Sequence, residues 1–357
     1  MSNDSFYLLN ARRSNGLFTG LSGRAANDMA LFSSSPFKVA TVPLFSIRGD
    51  ASQNVANVSA RLADAALQGI SLVVFPEASL VGYGDTLKLR RRELVTLAES
   101  LDGRSIDEVA KAVERTGVAA GVGFIERAPD GRLFNSYVIC MPGGVRCCHR
   151  KLHMVEHPVI ECGEQYTVLD TKWGVRIGIL IGADNYLVEN VRMTALMGAT
   201  LLVAPHRTYG SDSNGEAALQ RLSTEQRTRS HATESVGGAG WLRRSLIARA
   251  SDNGMFVVFS NGSDMAAHQD GMVVDPSGRV LADNGSSSCT LLSASVDPGL
   301  IAGSVGHQCL AARRSDTNAP RTRSMLPSVN AYAERNGTAP RGAIALSFAQ
   351  VSRIRQN

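Results

Sequence analysis

Three segments of this chain place reactive side chains where apolar strands end. In the first, the run Val73-Val74-Phe75 leads through Pro76 to Glu77, followed by Gly82 and Tyr83. The second reads His149-Arg150-Lys151-Leu152-His153, with Glu156 and Gly163 beyond it. In the third, Ile177–Ile181 ends in Gly182-Ala183-Asp184, then Glu189 and Arg192, and a later apolar run ends in Pro205-His206. A carboxylate at a strand end can serve as a general base, and an ammonium can stabilise a developing oxyanion. Ligand sites of α/β proteins gather at such ends. Taken singly, a Glu after a strand also reads as a solvated end or helix cap, and a Lys beside Arg and His as surface charge. Cys147, Cys148, His149, His153 and His157 raise a zinc reading, because histidines four apart can share a helical face. Lys151 sits among them, and the segment reads as strand end and loop as easily as helix. The expectation is therefore no metal, with polar surface histidines instead. No GxGxxG, P-loop or GxSxG segment is present, and no cofactor is expected.

The elements that must carry these residues follow from periodicity. Strand-like runs cover Lys38–Leu44, Ser71–Phe75, Val118–Ile125, Asn135–Met141, Val175–Ile181, Thr200–Ala204, Met255–Ser260, Gly271–Val274 and Leu291–Val296. Helical spacing fits about 51–68, 86–98, 105–116, 186–197 and 239–251. Pro129-Asp130-Gly131 and Pro276-Ser277-Gly278 mark turns. Helices follow the early strands, while the central strands come in succession. That order favours stacked sheets with helices outside over a simple doubly wound sheet. The polar stretch 207–238 is long for a connection and reads as a lid, a partner contact or a surface insertion.

Charge and composition exclude several classes. Of the net charge of +5, residues 310–357 carry eight arginines against Asp316 and Glu334. The basic balance thus belongs to a tail, and no nucleic-acid partner is expected for the body. No apolar run approaches the roughly 20 residues that span a bilayer, so no membrane partner is expected. The start of the chain does not read as a secretory leader. Six irregularly spaced cysteines then read as reduced thiols of a cytoplasmic protein. Residues 1–37 read as an N-terminal extension, 38–310 as the working domain, and 311–357 as a basic tail that is subunit-contacting or flexible.

In their order and context, the three segments resemble the nitrilase superfamily of carbon–nitrogen hydrolases over about residues 38–310. Trp241-Leu242-Arg243-Arg244 with Ala248–Gly254, and Asp270–Pro276 with Gly278, resemble later motifs of the same superfamily. The resemblance implies a four-layer α-β-β-α sandwich that hydrolyses a nitrile or non-peptide amide and releases ammonia. It makes Glu77 the general base, Lys151 the cation beside the oxyanion and Glu156 the second carboxylate. The nucleophilic Cys of the family falls at Gly182 here, and glycine cannot attack a carbon or form a thioester. Ala183 departs from a commonly aromatic position. Tyr83, Ala183 and His206 are expected to contact substrate. Asp184, Glu189 and Arg192 match family positions and are expected to brace the turn and helix. Asn190, Arg192 and Pro205-His206 look closer to the nitrilase and aliphatic-amidase branches. The resemblance also implies a homo-oligomer in which the helix after residue 184, with Leu187, Val191, Thr194 and Leu196–Met197, packs on its mate. Two readings of Gly182 stand: an active hydrolase altered there, or a natural non-catalytic binding or scaffold protein that uses the old pocket.

Overall fold

A computed structural model describes residues 35–42, 44, 46–82, 89–153, 157–208, 239–263, 270–284 and 291–313. Residues 1–34 of the expected N-terminal extension, the stretch 209–238, Tyr83, Glu156, Cys289 and nearly all of the basic tail lie outside the described residues, while Phe37, read as the end of that extension, opens the first strand.

The chain alternates strand and helix at first. β1 (Phe37–Thr41) and α1 (Ala51–Leu67) lead to β2 (Ile70–Val74), α2 (Arg91–Leu97) and α3 (Arg104–Thr116). Four strands follow: β3 (Ala119–Arg127), β4 (Leu133–Met141), β5 (Val145–Arg150) and the short β6 (Ile160–Glu161). The second half runs through β7 (Thr167–Asp170), β8 (Arg176–Ile179), a 3₁₀ turn (Gly182–Tyr186), α4 (Val188–Leu196), β9 (Leu201–Thr208) and α5 (Ala239–Asn253). It closes with β10 (Phe256–Ser263), β11 (Asp270–Val274), β12 (Val280–Asp283), β13 (Leu292–Val296), α6 (Gly299–Gly303) and α7 (Val305–Ala312).

Two sheets result. The first has the order β13-β1-β2-β3-β4-β5, with β6 beside β4, and the second the order β12-β11-β10-β9-β8-β7. β1, β2 and β3 are parallel, and so are β8, β9 and β10. The period of two explains how the sheets stack. Val39, Leu72, Val74, Tyr137 and Ile139 of the first sheet meet Ile177, Ile179, Ile181, Leu201 and Val203 of the second in one core. Alternate residues Val73, Phe75 and Val138 face outward onto Val58 and Leu62 of α1 and Val109 and Val113 of α3. In the second sheet, Leu180, Leu202, Val257 and Phe259 face Val191 of α4 and Leu242 and Leu246 of α5. Helix, sheet, sheet and helix therefore stack in that order, as the sequence predicts.

Differences from the predicted elements have physical reasons. The helix predicted over 186–197 divides into the 3₁₀ turn and α4. α2 is shorter than 86–98, beginning at Arg91, and residues 83–88 lie outside the described set. β5, β6, β7 and β12 have no counterpart among the predicted strands. β6 is only two residues long, and the other three lie at sheet edges and are only partly buried, so their sequences lack the apolar alternation that marks a core strand. Both turns form as predicted: Pro129-Asp130-Gly131 joins β3 to antiparallel β4, and Pro276-Ser277-Gly278 joins β11 to β12. Among the described residues no helix is long and apolar enough to cross a membrane.

Candidate active site

Glu77 follows β2 and Lys151 follows β5, both in the first sheet, while Gly182 follows β8 in the second. The three meet at the carboxyl ends of the parallel strands. Glu77 and Lys151 are 1% exposed, and Lys151 Nζ lies 2.8 Å from Glu77 Oε1. Asn135 Nδ2 donates to the same Oε1 at 2.7 Å. A Cβ at position 182 would lie 2.6 Å from Glu77 Oε2 and 2.8 Å from Lys151 Nζ. Both distances are shorter than a real Cβ contact, so a side chain on residue 182 would point at the buried carboxylate and ammonium and would have to push them back. The residue has φ +50°, the left-handed region that glycine enters without steric cost.

The turn carrying Glu77 is held from several directions. Phe75 N donates to Gly121 O, and Leu80 N donates to Gly123 O. Gly123 N donates to Ser79 Oγ, and Ser46 Oγ donates to Ser79 O. Asn54, buried in α1, donates to Leu80 O at 3.0 Å. Ala78 itself has φ +50°, the one non-glycine residue with positive φ among those described. Such a conformation costs roughly 1–3 kcal/mol and persists only where surroundings enforce it. β3 supplies part of that enforcement: a Cβ on Gly123 would run into the backbone nitrogen of Ala78. The Tyr137 hydroxyl, 2.7 Å from both Phe75 O and Gly121 O, ties the ends of β2 and β3 together.

Asp184 joins the two halves of the site. It is fully buried, and Ile181 N donates to its Oδ2 at 3.1 Å, closing its own turn. Leu152 N also donates to Oδ2, at 3.2 Å, and His153 N donates to Oδ1 at 2.8 Å. The loop immediately after Lys151 is thereby fastened to the turn that carries Gly182. His149 Nε2 approaches Asp184 Oδ2 at 3.6 Å, and its Nδ1 is 3.0 Å from Thr167 Oγ1. Asn190 of α4 donates to Asp184 O, and the Tyr166 hydroxyl donates to Asn190 Oδ1. Asn185 Nδ2 donates to Leu180 O and Gly182 O. The turn at 182 is consequently fixed by side chains at 184, 185 and 190.

The other predicted residues are placed as follows. Ala183 is buried beside Gly182. Glu189 is exposed in the first turn of α4, Arg192 is half-buried, and no ion pair joins the two among the described residues. Three residues apart on a helix, they can meet, but solvent solvates both and favours no fixed geometry. His206 of β9 packs on the helix-side face, with its ring 6.1 Å from Phe259 and 6.3 Å from Tyr186. Glu156 and Tyr83 lie outside the described residues. Among the described residues, no three His, Cys, Asp or Glu side chains converge as a metal-binding set. His157 instead accepts from Val159 N through Nδ1, leaving Nε2 to donate to Leu89 O. Burial pushes the Cys140 and Cys147 thiols up to about 11, and Cys148 higher still.

Sequence reasoning did not single out Asn135, Ser79, Tyr137 or Arg207. Every residue of β4 is buried, so Asn135 is a polar group inside an apolar strand, and a buried amide calls for a partner. That was the available signal.

Comparison with known proteins identifies the family and the fold. Residues 38–303 match the family model described as carbon-nitrogen hydrolase. An (R)-stereoselective amidase of a Pseudomonas species is 30% identical over 255 residues, covering 70% of this chain and 81% of that protein. Saccharomyces cerevisiae Nit3, described as a member of branch 10 of the nitrilase superfamily, superposes with a TM-score of 0.60 at 20% identity, over 80% of this chain and 97% of that one. A structure of the amidase from Nesterenkonia sp. AN1 superposes with a TM-score of 0.58 at 18% identity, over 81% and 97% of the chains. That structure, of a mutant, shows covalent addition of the acetamide moiety of fluoroacetamide at the active-site cysteine. The chain described here belongs to the carbon–nitrogen hydrolase family.

Proposed function

We propose that this cluster is built for hydrolysis of a nitrile or non-peptide amide with release of ammonia, and that position 182 is where the nucleophile would stand. The observation carrying this reading is the virtual Cβ of residue 182, within 2.8 Å of both Glu77 and Lys151. A thiol there would have a base to take its proton and a cation to stabilise the tetrahedral oxyanion. Glu77 would later activate the water that releases the acid. Glu156 is proposed as the second carboxylate of the site. Tyr83, Ala183 and His206 are proposed as substrate contacts, and Asp184 as the brace. No cofactor enters this scheme.

With Gly182 the chain retains base and cation but has no covalent nucleophile, so it should bind amides without turning them over. Removing a nucleophile costs on the order of a millionfold in rate in the subtilisin series. The experiment is Gly182→Cys, assayed for ammonia release over a panel of nitriles and amides. Release that disappears again on Glu77→Gln supports both assignments. A Cys variant that melts like the parent and releases no ammonia favours the alternative, a natural binding or scaffold protein. We further propose a homo-oligomer, because Leu187, Val188, Met193 and Met197 around α4 stay 39–43% exposed while Val191 and Thr194 pack inward.

A further inference from the structure

We infer that Asn135 is the positioning residue of the base: it holds the Glu77 carboxylate by Oε1, so that Oε2 is the oxygen that faces residue 182 and takes the proton of a group there. This rests on the hydrolytic reading proposed above and goes beyond it by assigning the working oxygen and the side chain that selects it.

Asn135 lies on β4, a strand buried along its whole length. The period of two places it on the inner face with Tyr137 and Ile139, so its amide enters the space between the sheets. There it is tied to both members of the reacting pair. Lys151 N donates to Asn135 O at 2.8 Å, which continues the β4–β5 ladder one step past the Ser136–Arg150 pair. Asn135 Nδ2 donates to Glu77 Oε1 at 2.7 Å, reaching across β3 to the turn that follows β2. One fully buried residue thus sets the backbone of the cation and the side chain of the base against each other.

The two oxygens of Glu77 end in different surroundings. Oε1 accepts from Asn135 Nδ2 and from Lys151 Nζ, and two donors fill the lone pairs of one carboxylate oxygen. Oε2 accepts no hydrogen bond among the described residues and lies 2.6 Å from where a Cβ on residue 182 would stand. The terminal torsion of a glutamate is broad, so the carboxylate plane needs an anchor that does not move. Lys151 is a poor one, because an ammonium on a four-carbon stem turns freely about its donors. An amide on a central strand is a firm one, and it donates to the carboxylate without adding a charge.

The test uses Gly182→Cys and fluoroacetamide. Alkylation passes the thiol proton to Glu77 Oε2, joins sulfur to the CH₂ carbon and expels fluoride. Its rate is followed against pH, with peptide mapping to read the labelled site and a melting temperature for every variant. Removing a donor from an ionised carboxylate favours the protonated form. In Gly182→Cys/Asn135→Leu, similar in shape, the acid limb of the profile should therefore move up by roughly one pH unit. The plateau rate should fall about tenfold or more as the carboxylate loses its orientation. Asn135→Asp, which sets a second negative charge beside the first, should move the limb further in the same direction. A merely structural Asn135 would lower the melting temperature and leave the limb in place. An unmoved limb in a folded Leu variant overturns the inference and leaves the hydrolytic reading standing. If residue 182 of a folded Gly182→Cys protein is labelled at no pH, the hydrolytic reading falls and the inference with it. Should Gly182→Cys fail to fold, crystal structures of the parent and of Asn135→Leu decide. A Glu77 carboxylate turned away from residue 182 in the variant supports the role, and one that keeps its place overturns it.

Discussion

Replacing Asp184 by Ala removes the acceptor of three backbone N–H groups, those of Ile181, Leu152 and His153. A buried donor left without a partner costs about 1–3 kcal/mol. The Ile181 donor lies in the buried strand end, whereas Leu152 and His153 are half-buried and can partly turn to water. Discounting those two, Asp184→Ala should destabilise the fold by about 3–5 kcal/mol. Asp184→Asn keeps one carbonyl oxygen, best placed on Ile181 N and Leu152 N, and sets its NH₂ against His153 N–H. It should lose only about 1–3 kcal/mol. Equilibrium urea unfolding measures both, as a shift in midpoint at unchanged slope. Hydrogen exchange should localise the change to residues 152, 153 and 181. A loss under 1 kcal/mol for Asp184→Ala, or an Asn variant no better than Ala, would refute Asp184 as the fastening between the two sheets' loops.

Further outcomes follow from the same geometry. Lys151→Met and Glu77→Leu each break a buried ion pair and should cost about 3 kcal/mol or more, while the double variant costs clearly less than their sum in a double-mutant cycle. Tyr137→Phe leaves the carbonyls of Phe75 and Gly121 without this donor and should lower stability by about 1–3 kcal/mol in urea. Because the folded thiols of Cys140 and Cys147 are pushed up to about 11, they favour folding below the ordinary thiol range, and that contribution is lost as pH rises toward 11. Unfolding midpoints should therefore fall more steeply across this range in the parent than in a Cys140→Ala/Cys147→Ala double variant; equal slopes would contradict the burial argument. Light scattering at micromolar concentration should give more than a monomer mass, and a monomer would sink the oligomer proposal.

The site was legible where its residues end apolar strands. Glu77 after Val73–Phe75 and Gly182 after Ile177–Ile181 stand out because hydrophobic runs stop at them. Lys151 did not stand out alone, because it follows a polar edge strand, and only the order of the motifs separated it from surface charge. The four layers were legible because inner and outer residues alternate in β1, β2, β4, β8 and β9. The edge strands β5, β7 and β12 were not, since half-exposed strands carry no such alternation. Asn135 and the Gly123–Ala78 contact were hidden for another reason. They depend on which strands become neighbours, and pairing across 45 or 58 residues leaves no local trace. Arg207 lay at the start of a polar stretch and read as part of it, although β9 runs on to Thr208.

The central claim is that position 182 stands between base and cation as the place of a nucleophile. Fluoroacetamide tests it most directly, since an activated thiolate displaces fluoride and retains the acetamide group. Intact mass and peptide mapping of Gly182→Cys should show one acetamide group on residue 182, formed at neutral pH ahead of any on the exposed Cys162 and Cys309. Lys151→Met in the same background should slow that labelling strongly. A folded Gly182→Cys protein labelled only at Cys162 and Cys309, or equally fast with and without Lys151, would contradict the account.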